Sequence, residues 1–463
     1  MTRRHLLQQA SLLNRRSFLG SVAAGLPLLA ERRPNILLIL ADDLGGGDLS
    51  SYGCPDIRTP HIDSLGRSGV RFTRFYSNGP ECSPTRSALM TGRYQQRVGG
   101  LECALGLHDV GRYDDAIWLQ QRGELGLPAS ESSLPQMLKA HGYDTACFGK
   151  WHLGYPEKFW PNRHGFDEFL GFLGGGVDYF THKEPEKDGG SYFYHNRTKV
   201  DRPGYTTDLF AEEAIRWLKK RSRKPFFLYL PFNAPHTPIQ DPDSFDPKTG
   251  SAPWREGHRP TYVKMVQRLD GRVGAVLAQL DAMGAAEDTI VLFLSDNGGD
   301  PNGRNDPLRG KKSSLWEGGI RVPCLLRWPR LLQAGKTTDQ VSLTMDLLPT
   351  VLAATGTPAP KGRSLDGANL LPVLKGQKLP FPRTVFWRFK RADRVRRAVR
   401  EGDLKYVLDS GQEELHDLAK DEREQDNLLA DAPEDLRRLK ARLAAWERDV
   451  MAPRLRPFRT EPG

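Results

Sequence analysis

Short apolar segments alternate with amphipathic helical patterns along most of this chain. Four apolar runs of strand length have no polar face, so we expect them to be strands buried on both faces of a sheet. These runs are residues 35–41, 145–148, 225–230 and 289–295. Helical segments, with apolar residues every three or four positions, lie at 134–141, 208–221 and 262–283. The alternation predicts an α/β fold with a mostly parallel central sheet flanked by helices.

The length of the chain predicts more than one domain. A single hydrophobic core rarely grows beyond about 250–300 residues, and this chain has 463. Its character changes near residue 379, where a hairpin pattern at 397–408 is followed by a charged amphipathic helix at 433–451. We therefore expect a large domain over residues 34–378 and a small C-terminal α+β domain over residues 379–463.

The first thirty residues have the features of an export signal. Segment 14–20, Asn-Arg-Arg-Ser-Phe-Leu-Gly, precedes an apolar stretch over 21–30, and together they resemble a twin-arginine signal. That stretch is too short for a permanent membrane anchor; an ordinary amphipathic helix is the alternative interpretation. We expect residues 1–30 to engage the twin-arginine export machinery, and the mature protein to be periplasmic or secreted, without a permanent membrane span.

The net charge does not indicate a nucleic-acid partner. The formal charge is +10 at pH 7, but four of the arginines lie in the first thirty residues, where there is no acid. Without them the excess is about +6, and no basic groove-reading motif accompanies it. We therefore expect no nucleic acid among the partners.

Five cysteines leave at least one thiol without a disulfide partner inside the chain. Cys147 and Cys324 lie in apolar, strand-like runs, where we expect them to pack in the core. Cys82 is the candidate for the unpaired cysteine.

Two of the predicted strands end in acidic or amide side chains. The first strand runs into Asp42 and Asp43 and the last into Asp296 and Asn297, with glycine after each pair. Because ligands gather beyond the carboxyl ends of parallel strands, we expect these four side chains to meet. Hard oxygen donors favour Ca²⁺ or Mg²⁺ over zinc. Each pair taken alone is also explained by a turn or a helix cap.

Segment 81–93, Glu-Cys-Ser-Pro-Thr-Arg-Ser-Ala-Leu-Met-Thr-Gly-Arg, is predicted to begin a helix. Pro84 suits the first helical turn, so Cys82 is placed at the amino end, where the helix dipole favours negative charge. Arg86 follows one turn later on the same face. For an isolated cysteine, burial at a helix start would be the ordinary interpretation.

The longer match favours a different interpretation, because segment 81–93 resembles the signature of the type I sulfatase family. That signature is Cys-x-Pro-x-Arg followed by Ser-x-Leu-x-Thr-Gly-Arg. Further segments match the family in the same order: 42–43, 149–154, 233–238, 295–298 and 310–323. The resemblance implies an alkaline-phosphatase-like fold with a smaller C-terminal domain, in agreement with the alternating pattern.

The resemblance also implies how position 82 is used. The family converts this cysteine to formylglycine with a separate maturation enzyme. The ion, Ca²⁺, would be held by Asp42, Asp43, Asp296, Asn297 and the modified Cys82. Arg86 would steady the aldehyde hydrate, His152 would lie beside it, and His236 would protonate the leaving alcohol.

Two lysines would bind the sulfate by the same resemblance. Lys150 is one of them, and both Lys311 and Lys312 are candidates for the other. The family's spacing before Glu317 selects Lys312. Because Lys150 and His152 alternate along an extended segment, both can face one pocket only where a local bend or their long reach permits it.

The implied reaction is hydrolysis of a small-molecule or polysaccharide sulfate ester. One hydroxyl of the hydrate attacks sulfur, and the sulfoenzyme intermediate releases inorganic sulfate when the other hydroxyl loses its proton, to His152 in this chain. Two alternatives stay open. One is a phosphonate monoester or phosphodiester hydrolase of the same superfamily. The other is a non-catalytic, calcium-dependent binder of sulfated glycans in which Cys82 is never converted.

Residues 174–182 and 204–208 resemble segments of carbohydrate-directed family members, such as N-acetylgalactosamine-6-sulfatase-like enzymes. Asp178 and His182 are candidates there for a polar contact with sulfate or sugar.

Residues 383–400 contain eight basic residues and one acid, interleaved with Phe386, Trp387 and Phe389. This stretch is either a face that holds a sulfated glycan, with aromatic rings against sugars, or a solvated strand pair balanced by the acids of segment 413–426.

Overall fold

A ten-stranded sheet forms the centre of the structure. The structure is a computed structural model, and it describes residues 33–106, 113–184, 193–248, 250–253, 258–300 and 302–457. The strands of these residues are β1 Asn35–Ala41, β2 Val70–Phe72, β3 Phe75–Tyr76, β4 Asp144–Lys150, β5 Glu168–Phe172, β6 Tyr194–His195, β7 Thr198–Lys199, β8 Phe226–Pro231, β9 Thr289–Ser295, β10 Cys324–Arg327, β11 Lys336–Thr338, β12 Ser342–Leu343, β13 Thr384–Arg391, β14 Arg394–Glu401, β15 Leu404–Asp409 and β16 Gln412–Asp417. The α-helices are α1 Pro60–Arg67, α2 Cys82–Thr91, α3 Asp114–Gln121, α4 Leu134–Ala140, α5 Thr206–Lys220, α6 Arg259–Ala282, α7 Glu317–Ile320, α8 Leu347–Thr355, α9 Leu371–Leu374 and α10 Pro433–Asp449. The proposed signal peptide, residues 1–30, lies outside the described residues.

The central sheet has the strand order β11-β2-β10-β9-β1-β8-β4-β5-β6-β7. Its middle is parallel, because β1 pairs in parallel with β8 and β9, and β4 with β5 and β8. Antiparallel pairing is confined to β10 with its two neighbours and to β6 with its two neighbours. The prediction of a mostly parallel sheet flanked by helices is confirmed.

Both faces of this sheet are buried, as the continuous apolar strands predicted. Along β1, Leu38 packs into a core on one face and Leu37 into a core on the other, following the two-residue period of a strand. Helices α5 and α6 cover the face of Leu37, and α2, α4 and α8 cover the face of Leu38. Cys147 and Cys324 are buried in these cores, so their predicted packing role is confirmed.

Local sequence signals explain where the flanking helices begin. At α4, Ser133 and Gln136 form a capping box, and proline occupies the first turn, where no backbone N–H donor is needed. At α5, Asp208 lies in the first turn and Lys219 and Lys220 in the last, an arrangement that complements the helix dipole. No helix of the described part of the chain is long and apolar enough to cross a membrane.

A second, antiparallel sheet lies in the C-terminal part of the chain, in the order β13-β14-β15-β16. The predicted hairpin is present as β14 and β15, and the predicted charged helix as α10. Trp387 of β13 donates a hydrogen bond from Nε1 to the carbonyl of Ser77, which lies just before α2 (2.8 Å). The expected domain boundary between residues 378 and 379 stays a prediction.

The basic stretch 383–400 does not form an aromatic glycan-binding face. Trp387 and Phe389 are buried in the core, and Phe386 stacks on Trp446 of α10. The cations are largely paired within the protein: Arg388 with Glu102, Lys390 with Asp115, Arg396 with Asp409 and Arg397 with Glu447. The aromatic part of that interpretation is therefore wrong, because tertiary packing uses the rings.

Candidate active site

The acids that end β1 and β9 meet because the two strands are parallel neighbours. The pairing register aligns the last residues of β1 and β9, so the residues that follow these two strands leave the sheet side by side. The backbone N–H of Asp43 donates to Asp296 Oδ1 (3.3 Å), and Asn297 Nδ2 donates to Asp43 Oδ1 (2.8 Å). Asp42 and these three residues are almost completely buried. The structure thus brings together four of the five predicted metal ligands.

The glycines that follow these acids serve packing between chain segments. A Cβ atom at Gly298 would lie 1.9 Å from the carbonyl oxygen of Gly318, and one at Gly45 would lie 2.1 Å from that of Arg304. Glycine is therefore required at both positions, because another segment of backbone passes against each of them.

Cys82 is the first residue of α2, as the sequence predicted, and is only 1% exposed. Its Sγ lies 3.3 Å from Asp42 Oδ1 and 3.2 Å from Lys150 Nζ. Burial and the charge of Asp42 raise the pKa of the Cys82 thiol well above its usual value. The side chain therefore sits where the acids and the cations of the site meet, as a neutral thiol.

Arg86 lies one turn further along α2 and joins the acids to β4. Its Nε and Nη2 donate to Asp296 Oδ2 at 3.0 and 2.8 Å, and its Nη1 donates to the carbonyl of Lys150 at 2.9 Å. Nη2 is also 3.7 Å from Asp42 Oδ1. The guanidinium is fully buried, so it supplies a fixed positive charge beside position 82.

Lys150 and His152 both face this site because the chain bends after β4. Lys150 ends the strand and donates from Nζ to Asp42 Oδ2 (2.5 Å). His152 adopts a left-handed φ of 57°, which turns its ring to the same side. Its Nε2 lies 2.6 Å from the carbonyl oxygen of Leu105. A carbonyl only accepts, so Nε2 carries the proton and Nδ1, which is buried and has no partner, keeps its lone pair. Burial and the charge of Lys150 lower the pKa of His152.

His236 and Lys312 approach Asp43 from two further segments. Lys312 Nζ donates to Asp43 Oδ2 (2.7 Å), and His236 Nε2 lies 3.6 Å from the same oxygen. Lys311 is exposed, so geometry selects Lys312 of the two candidate lysines. Burial and Lys312 lower the pKa of His236 to about 3. Burial opposes ionisation of Asp43, but Lys312, His236 and Lys150 hold its pKa well below the usual value.

The donor set of this site fits a hard divalent cation. Asn297 Oδ1 is buried without a hydrogen-bond partner, although the amide nitrogen of the same side chain makes two bonds. Ligand atoms of Asp42, Asp43, Cys82 and His236 lie within 4.8 Å of one another. Burial and, after it, the neighbouring Asp42 raise the pKa of Asp296 to about 6. An open amide oxygen beside crowded carboxylates is the chemistry that binds Ca²⁺ or Mg²⁺.

The segment 174–182 contributes to the site in a way that the sequence did not predict. A Cβ at Gly175 would lie 3.1 Å from the ring of His152, and one at Gly176 would lie 3.2 Å from the ring of His236. Bare backbone therefore lies against both histidines. The glycine run was the available signal for this close approach.

Asp178 and His182, the two candidates for a polar substrate contact, are used inside the fold. Asp178 accepts hydrogen bonds from Gln240 Nε2 (2.7 Å) and Ser251 Oγ (2.6 Å). His182 is buried, with Nε2 2.9 Å from the carbonyl oxygen of Gly204. Both side chains therefore stabilise loops, and their assignment as substrate contacts stays a prediction.

Comparison with known families agrees with this geometry. Residues 34–357 match the family model described as Sulfatase, and residues 311–449 match the one described as N-sulphoglucosamine sulphohydrolase, C-terminal. N-acetylgalactosamine-6-sulfatase of Homo sapiens is 34% identical over 398 residues, which cover 80% of this chain and 70% of that protein. Steryl-sulfatase of Mus musculus is 33% identical over 428 residues, which cover 75% of this chain and 66% of that protein.

Solved structures give the same result. The structure described as Ps i-CgsB in complex with k-i-k-neocarrahexaose has a TM-score of 0.80 and 32% identity, covering 90% of this chain and 93% of that chain. Phosphonate monoester hydrolase of Agrobacterium radiobacter shares the fold, with a TM-score of 0.63 and 24% identity over 90% of this chain and 96% of that chain. The fold is alkaline-phosphatase-like, as expected. The chain therefore belongs to the sulfatase family and is a sulfuric ester hydrolase.

Proposed function

We propose that this protein hydrolyses sulfate esters of carbohydrates through a formylglycine made from Cys82, with a sulfoenzyme intermediate. The observation that carries the proposal is the position of Cys82, whose Sγ contacts both Asp42 and Lys150 at the first residue of a helix. A carbohydrate substrate is supported by the names of two relatives, N-acetylgalactosamine-6-sulfatase and the complex of Ps i-CgsB with k-i-k-neocarrahexaose.

In this proposal Asp42, Asp43, Asp296 and Asn297 hold a divalent cation, which we expect to be Ca²⁺, beside position 82. When bound, the cation supplies positive charge and Lewis acidity. Arg86 keeps a second positive charge next to the same position through its pair with Asp296.

The remaining side chains bind the substrate and move protons. Lys150 and Lys312 carry the positive charge that attracts the sulfate oxygens and stabilises charge developing on them. His152 accepts a proton at Nδ1, because its Nε2 proton is held by Leu105. His236 delivers a proton from Nε2 to the leaving alcohol, while its Nδ1 is held by the carbonyl of Thr237 (2.6 Å). That role requires His236 to be protonated once the anionic substrate is bound.

The proposal is tested by mass spectrometry of tryptic peptide 75–86 from protein made in its native host, alongside hydrolysis of an aryl sulfate. Conversion of Cys82 to the aldehyde lowers the peptide mass by about 18 Da. Peptide 140–150, which contains the buried Cys147, is the internal control and should retain its thiol. An intact thiol at position 82 in protein that still releases sulfate would exclude formylglycine.

A phosphonate monoester or phosphodiester hydrolase is the second candidate, supported by the shared fold of the Agrobacterium radiobacter enzyme. Rates on an aryl sulfate and on an aryl phosphodiester, measured with one preparation, separate the two activities. A calcium-dependent glycan binder would hydrolyse neither substrate.

We further propose that the protein depends on two partners and works outside the cytoplasm. A formylglycine-generating maturation enzyme would convert Cys82, and the twin-arginine machinery would export the chain through residues 1–30. Fractionation of the native host should then recover the sulfatase activity in the periplasm or the medium, and replacing Arg15 and Arg16 by lysine should retain it in the cytoplasm.

A further inference from the structure

Glu81 immediately precedes Cys82 and is buried, yet the proposed reaction leaves its carboxylate without a role. It lies in an extended conformation just before α2 and is 2% exposed. Its two oxygens accept hydrogen bonds from three distant parts of the chain: Ser313 Oγ (2.7 Å), the backbone N–H of Ala104 (2.7 Å) and Arg391 Nη1 (3.1 and 3.2 Å). The carboxylate therefore connects the start of α2 to three separate segments.

The bond to Ser313 fixes the turn that carries Lys312. Ser313 has a left-handed φ of 70°, which a residue with a side chain keeps only when its surroundings hold it there. Its backbone N–H donates to the carbonyl of Pro80 (2.8 Å), and its own carbonyl accepts from Arg396. With Oγ bound to Glu81, every polar group of Ser313 is held. The position of Lys312 Nζ, one residue away, depends on this turn.

The bond to Ala104 fixes the segment that holds His152. Leu105, the next residue, donates from its N–H to Ser83 Oγ (3.0 Å), and its carbonyl accepts from His152 Nε2. Ser83 Oγ in turn donates to the carbonyl of His152 (2.9 Å). The residues on both sides of Cys82 thus support the backbone that orients the histidine.

We propose that Glu81 is a positioning residue, which holds Lys312 and His152 in register with position 82. A carboxylate suits this task because both of its oxygens accept, whereas a glutamine would offer one acceptor oxygen and turn an NH₂ group towards a donor. Arg391, whose side chain is 44% exposed, balances the charge from the tip of the β13–β14 hairpin. The inference rests on the proposed function, in which Lys312 binds the sulfate group.

Two substitutions test the hydrogen bond between Glu81 and Ser313, which supports Lys312. Ser313→Ala and Glu81→Gln should each raise the KM for an aryl sulfate about three- to tenfold, the effect of losing one hydrogen bond. The inhibition constant of inorganic sulfate should rise by a similar factor, because sulfate binds through the same lysine. KM does not depend on the fraction of molecules in which Cys82 is converted, so incomplete maturation of a variant leaves the result intact.

A double variant and a glycine variant show whether the rise in KM is caused by a change in the turn at Ser313. Glu81→Gln with Ser313→Ala should raise KM by less than the product of the two single effects, since both substitutions disrupt the Glu81–Ser313 bond. Ser313→Gly should raise KM less than Ser313→Ala, because glycine adopts the left-handed conformation without strain.

Glu213→Gln is the matched control. Glu213 is also 2% exposed and also pairs with arginine, through Arg202 and Arg216, but it lies on α5 and contacts none of the proposed site residues. It should lower the melting temperature without changing KM. Equal KM and sulfate inhibition constants in the wild type, Ser313→Ala and Glu81→Gln would overturn the inference.

Sulfate binding by calorimetry separates this inference from the proposed function. Wild-type protein that binds sulfate but hydrolyses no aryl sulfate would contradict the proposed function. Even if the wild type showed no hydrolysis, weaker sulfate binding by Ser313→Ala, with no weakening in Glu213→Gln, would support the positioning role of Glu81. Unchanged sulfate binding by Ser313→Ala would overturn that role.

Discussion

Two of the buried clusters of charged side chains in the described part of the chain differ in how their polar groups are satisfied. The first is the active-site cluster described above. The second, which we call the linking cluster, consists of Tyr76, Glu317, Arg400, Lys405 and Glu424 and joins α7 to the C-terminal sheet. Within the linking cluster, Glu317 accepts from Tyr76 Oη (2.7 Å) and Lys405 Nζ (2.9 Å), and Glu424 accepts from the Glu317 N–H (2.6 Å).

In each cluster, burial raises the pKa of one carboxyl group while neighbouring cations lower that of another: Asp296 is raised and Asp43 lowered at the active site, and Glu424 is raised and Glu317 lowered in the linking cluster. In the linking cluster, burial opposes ionisation of Glu317, but Lys405 and Arg400 lower its pKa to about 2. At the active site, burial and Asp42 raise the pKa of Asp296 to about 6. Both clusters pair their carboxylates with cations, but the active-site cluster also keeps an open Asn297 oxygen for a ligand. We infer that the linking cluster serves stability and the active-site cluster serves chemistry.

Cys82→Ala should give the sharpest separation of chemistry from stability. Loss of the nucleophile's precursor should lower kcat/KM for an aryl sulfate at least ~10⁴-fold, as for other deletions of a covalent catalyst. The free energy of unfolding should change by about 1 kcal/mol or less, because a small uncharged side chain, thiol or formylglycine, gives way to a smaller apolar group. Initial rates and urea unfolding measure the two effects. Activity within tenfold of wild type would show that position 82 is not the reactive residue.

Lys405→Met should have the opposite effects to Cys82→Ala: a large loss of stability and little change in KM. Removing the one lysine that joins Glu317 to Glu424 leaves two carboxylates buried against each other, which should cost about 3–5 kcal/mol of unfolding free energy. The KM of the molecules that remain folded should stay near the wild-type value. Lys336→Met, at an exposed position of β11, is the control and should be nearly neutral. A loss below about 1 kcal/mol would mean that the linking cluster contributes little to the fold.

Glu317→Gln tests the same cluster through pH. The pKa of Glu317 is about 2 in the folded chain against an ordinary 4.5, so its charge adds stability above pH 4.5 and loses that contribution as pH falls towards 2. The difference in unfolding free energy between wild type and variant should therefore be largest at neutral pH, at about 3 kcal/mol, and shrink below pH 4.5. Urea titrations at several pH values measure it. A difference independent of pH would contradict the assigned charge.

The central sheet and the acids at its edge were predictable because both depend on local signals. Apolar runs of strand length fix β1 and β9, and parallel pairing of these strands brings Asp43 and Asn297 together without further information. The sequence showed only that Lys150 and His152 could share one pocket if the chain bends between them. It did not predict the bend, since residue spacing does not determine backbone dihedral angles.

What the sequence could not reveal are contacts between distant segments. Glu81 directly precedes the recognised motif, but its partners Ala104, Ser313 and Arg391 lie up to 310 positions away. The basic stretch 383–400 was ambiguous for the same reason, because Glu102 and Asp115, which pair with it, lie far upstream. Composition shows how much charge a segment carries, whereas only the tertiary structure shows how much of that charge is left for a ligand.

Calcium should separate the two clusters most directly, although its effect on stability is smaller than that of Lys405→Met. Saturating Ca²⁺ should raise the unfolding free energy by about 1–3 kcal/mol relative to chelated protein, since ligands that bind only the folded state stabilise it by mass action. Calorimetric melting with Ca²⁺ or a chelator measures this difference. Mg²⁺ at equal concentration should stabilise less, because it prefers a rigid octahedral shell with several waters.

Variants of each cluster locate the ion. Asp43→Asn removes charge from the active-site cluster and should abolish the Ca²⁺-dependent rise in melting temperature, while Glu317→Gln, which removes one charge from the linking cluster, should retain it. The control is matched in chemistry, since each variant exchanges one buried carboxylate for an amide. If Asp43→Asn kept the full rise, the ion would bind elsewhere, and the open Asn297 oxygen and the raised pKa of Asp296 would reflect strain in the fold.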